Sequence, residues 1–353
     1  MKVPWVNILL LILLVIQTIT GYLGLVNGRS SAAWTLWLHG IIAYTLALAL
    51  FAKAAVIRDA WRRKKRWTAR RVAFAVTLVL LLLVMALGLL WTYNGPIYLG
   101  GFSLVSLHIY LAVPLMALMV WHAWHMRFIR RVAGATGRRL FLGGLASVFG
   151  GALVWALAGR VKAWAGLPGA SRRFTGSYEI GSFVADFPVV SWIADRPPLV
   201  DGPMWQLRVE GAVAQPLTLT LADLAGWPQR VVTTAIDCTG GWYSVQRWQG
   251  VGMEELLRAT GVRPEAASVT FESLTGYKRR FSLEEAATFL LGLGIAVDEP
   301  EGYPATVRPL TAGHGYPARL VAPGRRGVEW VKWLAVIRLN ETGPHQQSPL
   351  PLQ

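Results

Sequence analysis

The sequence predicts a multi-domain protein: an N-terminal all-α transmembrane helix bundle followed by a C-terminal α+β domain. Three observations predict it. The 353 residues are 54% hydrophobic and only 15% charged, against about 25% charged in soluble domains, and the mean hydropathy is +0.42. Apolar segments of membrane-crossing length fill the first half. Short β-type runs between turn residues fill the second half. This composition excludes a disordered chain and a wholly soluble one.

The apolar segments lie near 4–26, 34–57, 72–92, 103–126 and 140–158. Each has the roughly 20 residues needed to span about 30 Å of hydrocarbon. Trp34, Trp37, Trp61, Trp67, Trp91, Tyr93, Trp121 and Trp124 cluster at their ends, as aromatic belts do at membrane interfaces. A large buried helical core is the alternative, but it rarely needs helices of this length.

The net charge of +16 invites a nucleic-acid reading, and its distribution rejects that reading. Residues 1–139 hold 16 Lys and Arg and a single acid, Asp59; residues 140–353 hold 19 and 18, nearly balanced. The excess sits in two short loops, 58–71 and 127–139, whereas loops 27–33 and 93–102 carry only Arg29. The positive-inside rule then places the N-terminus and the basic loops in the cytoplasm. The expected location is the cell inner membrane, with the C-terminal domain periplasmic or extracellular. A transporter has little support, because intramembrane charge is scarce and no internal repeat is seen.

The expected organisation is a four-helix membrane domain over 1–130, a fifth helix within 131–160 and a linker over 161–180 with Gly166, Pro168, Gly169 and Gly176. An α+β domain over 181–341 and a loose tail over 342–353 complete it. Strands are expected at 204–213, 230–236, 268–274, 318–322 and 331–339, and helices at 220–225, 252–260 and 283–290. The fifth helix opens with Thr136-Gly137-Arg138-Arg139-Leu140-Phe141-Leu142, which resembles a twin-arginine export signal. Ala156-Leu157-Ala158 could mark cleavage. Retention as a fifth helix is the reading adopted, since cleavage would separate the halves.

Four of the six histidines, His39, His108, His122 and His125, fall in apolar segments, where ionisable residues are costly and usually functional. His39 and His108 lie about five residues inside the outer ends of helices 2 and 4, at matching depth. Facing imidazoles in a helix bundle make a bis-histidine site for b-type haem. His122 lies 14 residues beyond His108, but the corresponding position beyond His39 is Lys53. One haem is therefore expected and a second is possible, with His122 and His125 near a quinone site or the headgroup interface. Trp37-Leu38-His39-Gly40 with His108, Ile109, Tyr110 and His122 resembles the cytochrome b561-like superfamily over roughly residues 1–130.

The lone cysteine lies in Thr234-Ala235-Ile236-Asp237-Cys238-Thr239-Gly240-Gly241-Trp242. It excludes an intramolecular disulfide. By itself it reads equally as a small buried apolar residue, but the glycines admit close approach of a cofactor. Trp248-Gln249-Gly250-Val251, Gly313-His314-Gly315-Tyr316-Pro317-Ala318-Arg319 and Val331-Lys332-Trp333-Leu334 follow in order. This ordered set resembles the sulfite oxidase family of molybdenum enzymes, and Asp186-Phe187-Pro188-Val189-Val190-Ser191-Trp192 is similar to its early cofactor-binding loop.

The resemblance implies a molybdopterin-binding α+β fold and a molybdenum cofactor. It makes Cys238 the protein ligand to molybdenum, and has His314, Arg319 and Lys332, with Gly240 and Gly241, hold the pterin and its phosphate. In extent the domain is similar to the catalytic subunit of bacterial periplasmic methionine sulfoxide reductase, without the C-terminal dimerisation domain of eukaryotic sulfite oxidases. Asp237 and Tyr243 are further catalytic candidates, and Trp242 and Arg247 candidates for the substrate pocket. The expected function is oxygen-atom transfer to or from a small oxo-donor or oxo-acceptor, coupled through haem b to quinone, in contact with membrane lipid and without nucleic acid. Oxidation of a sulfite-like substrate, in place of reduction of a sulfoxide-like one, is the alternative direction. A non-catalytic membrane sensor is the alternative class.

Overall fold

The computed structural model describes residues 5–63, 68–125, 137–192, 195–196, 198–297 and 306–348. The chain divides into two units, Met1–Tyr178 and Glu179–Gln353, and the division falls inside the segment expected as a linker.

The first unit is built from α1 (Trp5–Val26), α2 (Ala33–Arg63), α3 (Ala69–Asn94), α4 (Leu104–His125) and α5 (Arg138–Trp164). Each contains a stretch of 21 to 25 residues long and apolar enough to cross a membrane. Leu9, Leu13, Ile42, Leu46, Leu81, Val84 and Leu115 form a buried core. Phe51, Val79, Val120 and Phe149 point outward. Helices apolar on the outer face as well as the inner one suit a lipid solvent. A short hairpin, β1 (Tyr98–Leu99) with β2 (Phe102–Ser103), joins α3 to α4. The helix boundaries follow the apolar segments closely. The exceptions are α2, which runs six residues past 57 to Arg63, and α5, which runs to Trp164 and so takes four residues of the expected linker. Val161-Lys162-Ala163-Trp164 contains no breaker, and the left-handed Gly166 (φ +61°) comes only after it. Lys64, Lys65 and Arg66 of one basic loop, Arg127, Arg130 and Arg131 of the other, and Thr136 lie outside the described residues.

The boundary falls inside a two-residue strand, β3 (Tyr178–Glu179), and the second unit contains two sheets. In one, β10 (Leu290–Val297) lies between β7 (Trp242–Gly252) and β11 (Thr306–Pro309), with β6 (Gln229–Asp237) on β7 and β12 (Arg319–Val321) on β10. The second runs β5 (Leu217–Thr220), β4 (Gln206–Gly211), β13 (Leu334–Asn340), β8 (Ser268–Ser273), β9 (Lys278–Ser282). Its β13–β4 pair is parallel and its other pairs are antiparallel. Three short helices cover them: α6 (Leu221–Ala225), α7 (Met253–Thr260) and α8 (Leu283–Ala287). Thr220 and Asp223 start α6 with a capping box. α7 buries Met253, Leu256, Leu257 and Thr260, one helical stripe. The core of Trp248, Phe271, Phe281, Leu290, Leu320 and Ile337 is almost fully buried.

The α+β expectation holds, with corrections. The helix expected over 283–290 ends at Ala287, and Leu290 opens β10. That strand reads as a continuous apolar run interrupted by Gly292 and Gly294, so its sequence shows no alternation. β7 was hidden behind the glycine turn that precedes it, although its buried and half-buried residues alternate cleanly. The expected loose tail is tied down over its described part. Gln347 exchanges two hydrogen bonds with the Arg280 main chain (2.9 and 2.7 Å), and the Thr342 carbonyl accepts from Ser268 at 2.6 Å.

Candidate active site

β6 ends at Asp237, and the chain then turns so that β7 can return beside it. Cys238 N–H donates to the Trp242 carbonyl at 2.8 Å and Gly241 N–H to the Cys238 carbonyl at 3.1 Å. Gly241 holds φ at +92°, a conformation that side chains resist. The turn brings the Gly240 N–H to 3.3 Å from Cys238 Sγ. Burial pushes the Cys238 thiol up from its ordinary value, while the Gly240 N–H and Arg326 pull it down. Arg326 donates to Asp237 Oδ1 at 2.7 Å and to the Cys238 carbonyl at 3.1 Å. Gly327 packs so closely that a Cβ there would lie 3.2 Å from Cys238 Cα.

A second group of side chains converges on this turn. Arg319, on β12, is 1% exposed and lies over two indoles, 5.0 Å from Trp248 and 5.5 Å from Trp330. Its Nη1 donates to the His314 carbonyl at 2.9 Å, while its buried Nε and Nη2 have no hydrogen-bond partner. Burial pushes its pKa down to about 9. Lys332 Nζ donates to the carbonyls of Gly313 (2.7 Å) and Val190 (2.9 Å). Burial first, and Arg319 second, push it down to about 7, and Cys238 acts on it in the opposite sense. Among the described residues neither cation forms a salt bridge. Gly315, at φ +105°, passes between them: a Cβ there would meet Arg319 Cβ at 3.1 Å and Lys332 Cβ at 3.2 Å.

His314 completes the cluster by packing. Its ring stacks on Phe187 at 4.0 Å, its Nε2 lies 2.8 Å from the Phe187 carbonyl, and its Nδ1 lies 3.0 Å from Thr311 Oγ1. A carbonyl only accepts, so Nε2 carries the hydrogen and Thr311 donates to Nδ1.

The first unit contains the histidine pair. The rings of His39 and His108 lie 6.2 Å apart, centre to centre, at 77°. Each is held in the same way. His39 Nδ1 lies 3.1 Å from the Gln17 carbonyl and packs on Gly21; His108 Nδ1 lies 2.8 Å from the Val84 carbonyl and packs on Gly88. A Cβ on either glycine would come within 3.1 Å of the ring. Both carbonyls sit four residues before the glycine, so α1–α2 and α3–α4 repeat one device. The hydrogen bonds assign the proton to Nδ1 and leave Nε2 as the basic nitrogen. In His39 that nitrogen accepts from the Gln17 amide at 3.0 Å. The His125 side chain lies outside the described residues.

Residues 194–348 match the family described as the oxidoreductase molybdopterin-binding domain. An uncharacterized oxidoreductase of Bacillus subtilis, YuiH, is 30% identical over 158 residues, which cover 44% of this chain and 74% of the relative. This chain belongs to the molybdopterin-binding oxidoreductase family. It is an oxidoreductase whose cofactor is molybdopterin. The mitochondrial sulfite oxidase of Drosophila melanogaster is 28% identical over 173 residues, covering 43% of this chain. The chain spans 30% of the length of that relative. A solved structure, the sulfane dehydrogenase SoxCD of Paracoccus pantotrophus, overlaps 41% of this chain and 40% of its own, with 26% identity and a TM-score of 0.37.

The residues present fit the family's cofactor. A buried guanidinium with two orphaned N–H groups beside a lysine suits a phosphate or another anionic group, because unpaired buried donors are otherwise costly. A single cysteine at the edge of that cluster suits a metal whose remaining ligands come from the cofactor.

The structure brings Cys238, Gly240, Gly241, Arg319 and Lys332 together as the sequence suggested. It also brings in the 186–192 loop, through Phe187 and Val190. One expectation changes. His314 spends both ring nitrogens on protein atoms, so it orders the Phe187 loop rather than offering a ring N–H. The Asp237 carboxylate is bound by Arg326, which anchors the turn that carries Cys238. Tyr243 pairs with Asp237 across the β6–β7 ladder. With Arg247 it takes the opposite face of β7 from Trp242. Sequence reasoning missed Arg326, Trp248 as a shelf for Arg319, and Trp330. The Arg325-Arg326 pair after a Pro-Gly turn was a visible but unspecific signal.

Proposed function

We propose that this chain is a membrane-anchored molybdopterin oxidoreductase. Its catalytic unit lies outside the membrane and exchanges electrons with quinone through one haem b. The observation that carries the reading is the cation pair of buried Arg319 and half-buried Lys332, which forms no salt bridge among the described residues and of which Lys332 acts electrostatically on Cys238.

Cys238 is the protein ligand to molybdenum, as a thiolate. The Gly240 N–H supports the sulfur, and Gly240 and Gly241 keep side-chain bulk away from it. Arg319 and Lys332 hold the anionic end of the cofactor, with Gly315 giving them room. His314 fixes the Phe187 loop, and Arg326 with Asp237 fixes the backbone that carries Cys238. Tyr243 stands nearest the turn on the other face of β7 and is assigned to the substrate side. When bound, the molybdenum cofactor supplies two-electron oxygen-atom transfer.

In the helical unit, two metal–nitrogen bonds of about 2 Å plus the reach of each ring span about 6 Å. The His39–His108 separation of 6.2 Å suits a metal ion between the rings, and the Nε2 atoms of His39 and His108 are the ones that would hold the haem iron. Gln17, which donates to His39 Nε2 in this structure, would have to release that nitrogen for it to hold the iron. The basic loops support a cytoplasmic N-terminus and a periplasmic catalytic unit, and Arg138-Arg139 supports twin-arginine export with α5 retained. The small helical domain is read as cytochrome b561-like, and the catalytic unit as similar in extent to the methionine sulfoxide reductase catalytic subunit.

Reduction of a sulfoxide-like substrate is the first reading of the direction. Oxidation of a sulfite-like one is the second, favoured by the relative named sulfite oxidase. One detergent preparation tests the whole proposal. Metal analysis should find molybdenum, and the reduced-minus-oxidised visible spectrum should show a low-spin b-type haem. A preparation with molybdenum and no haem signal would remove the electron path; one without molybdenum would remove the catalytic assignment.

A further inference from the structure

The helical unit contains a cleft of about 140 Å³ that the histidine pair does not use. It lies at the other end of the same helices. Lys53 and His122, both in its lining, stand 14 residues beyond His39 and His108 on α2 and α4. At about 1.5 Å per residue this puts them about 21 Å along each helix. The first turn of α1 contributes Asn7, the second and third turns of α3 contribute Phe74 and Thr77, and leucines supply most of the rest. His122 lies against Phe74, with ring centres 6.0 Å apart. Among the described residues the lining includes no carboxylate, so the protein does not neutralise the lysine there. Asn7 Oδ1 is buried without a hydrogen-bond partner.

We propose that this cleft binds the head ring of a quinone. The inference rests on the reading above, in which the protein exchanges electrons with quinone, and adds the site. The wall is apolar and partly aromatic, which suits a planar ring on an isoprenoid tail. Lys53 and His122 are donors for a quinone carbonyl. Asn7 Oδ1 needs the opposite, a donor, and a hydroquinone hydroxyl supplies one. A phospholipid phosphate offers acceptors only and would leave Asn7 Oδ1 unsatisfied, so the lipid is the less suitable occupant.

The test uses the full-length protein in nanodiscs of neutral lipid. Decylubiquinone binding is measured at equilibrium, and a photoreactive azidoquinone is mapped by mass spectrometry. Labelling should fall on the start of α1 or α3, or the far half of α2 or α4. Lys53→Met and His122→Leu should each weaken binding about tenfold or more, the weight of one hydrogen bond to a charged group. The melting transition of the helical unit, followed by far-ultraviolet circular dichroism, should stay at the wild-type temperature, which reports an intact fold. Leu78→Trp fills the cleft without removing a polar group and should abolish labelling even where a polar variant fails to fold. Binding that maps elsewhere and is unchanged in these variants overturns the cleft and leaves the quinone reading standing. A wild-type protein that binds no decylubiquinone overturns both. Competition by an acidic phospholipid, with loss of quinone binding as its fraction rises, overturns the proposal in favour of a headgroup site.

Discussion

Arg326 donates to the carboxylate of Asp237 at 2.7 Å, with the two side chains only 4% and 2% exposed. The same guanidinium holds the Cys238 carbonyl. A buried pair of this kind adds little net stability over an apolar pair, but breaking it strands a charge. Arg326→Met should therefore destabilise the protein by about 3–5 kcal/mol. The double variant Arg326→Met with Asp237→Leu should recover most of that loss. Denaturant melts of the purified full-length protein check this. A single variant as stable as the wild type would show that the pair does not hold the turn.

Arg319 acts through its orphaned donors. Arg319→Met preserves much of the packing against Trp248 and Trp330 and removes the charge. It should lower molybdenum content to a small fraction of the wild-type value. Arg319→Lys should rescue it only in part, since a lysine lacks the planar fork of donors. Metal analysis of matched preparations reads the result, and full occupancy in Arg319→Met would contradict the assignment.

Lys332 gives a pH dependence with a definite sign. Burial holds its folded value down at about 7, whereas an unfolded lysine titrates near 10.4. Between those values the unfolded chain carries a proton that the folded chain does not, so the stability of cofactor-free protein rises with pH across that window. Below about 7 both states are protonated and this dependence stops. Melting temperatures of cofactor-depleted protein between about pH 6.5 and 9 should climb in the wild type and flatten in Lys332→Met. A flat wild-type profile would contradict the desolvation assigned to Lys332.

How far the sequence foretold this site depended on distance along the chain. The Cys238 turn was legible because its glycines are its neighbours, and the glycine at φ +92° acts locally. The depth match of His39 and His108 was legible because helix arithmetic is local too. Arg326 was not, because its partner lies 89 residues away. The shelf under Arg319 was hidden for the same reason, since Trp248 and Trp330 meet only when β7 and β12 flank β10. His314 was assigned to the pterin from its loop. Its hydrogen bond to Phe187, 127 residues earlier, is a tertiary fact.

The histidine pair predicts a spectrum. His39→Ala or His108→Ala should each abolish the low-spin haem signal, and His125→Ala should keep it. Gly88→Leu should also lose it, because a Cβ there already presses on the His108 ring at 3.1 Å. A reduced-minus-oxidised spectrum of each variant decides. An unchanged spectrum in both alanine variants would reject the pair as ligands.

The central claim is that the one cysteine of the chain ligates molybdenum in the family's site. Cys238→Ser tests it most directly, because a soft thiolate is replaced by a much less acidic hydroxyl while Arg319 and Lys332 remain to hold the cofactor. The measurement is molybdenum X-ray absorption on wild type and variant, purified as the full-length protein. The account predicts that the variant retains molybdenum, loses turnover and shows one sulfur neighbour fewer around the metal. An unchanged sulfur shell with undiminished activity would contradict it.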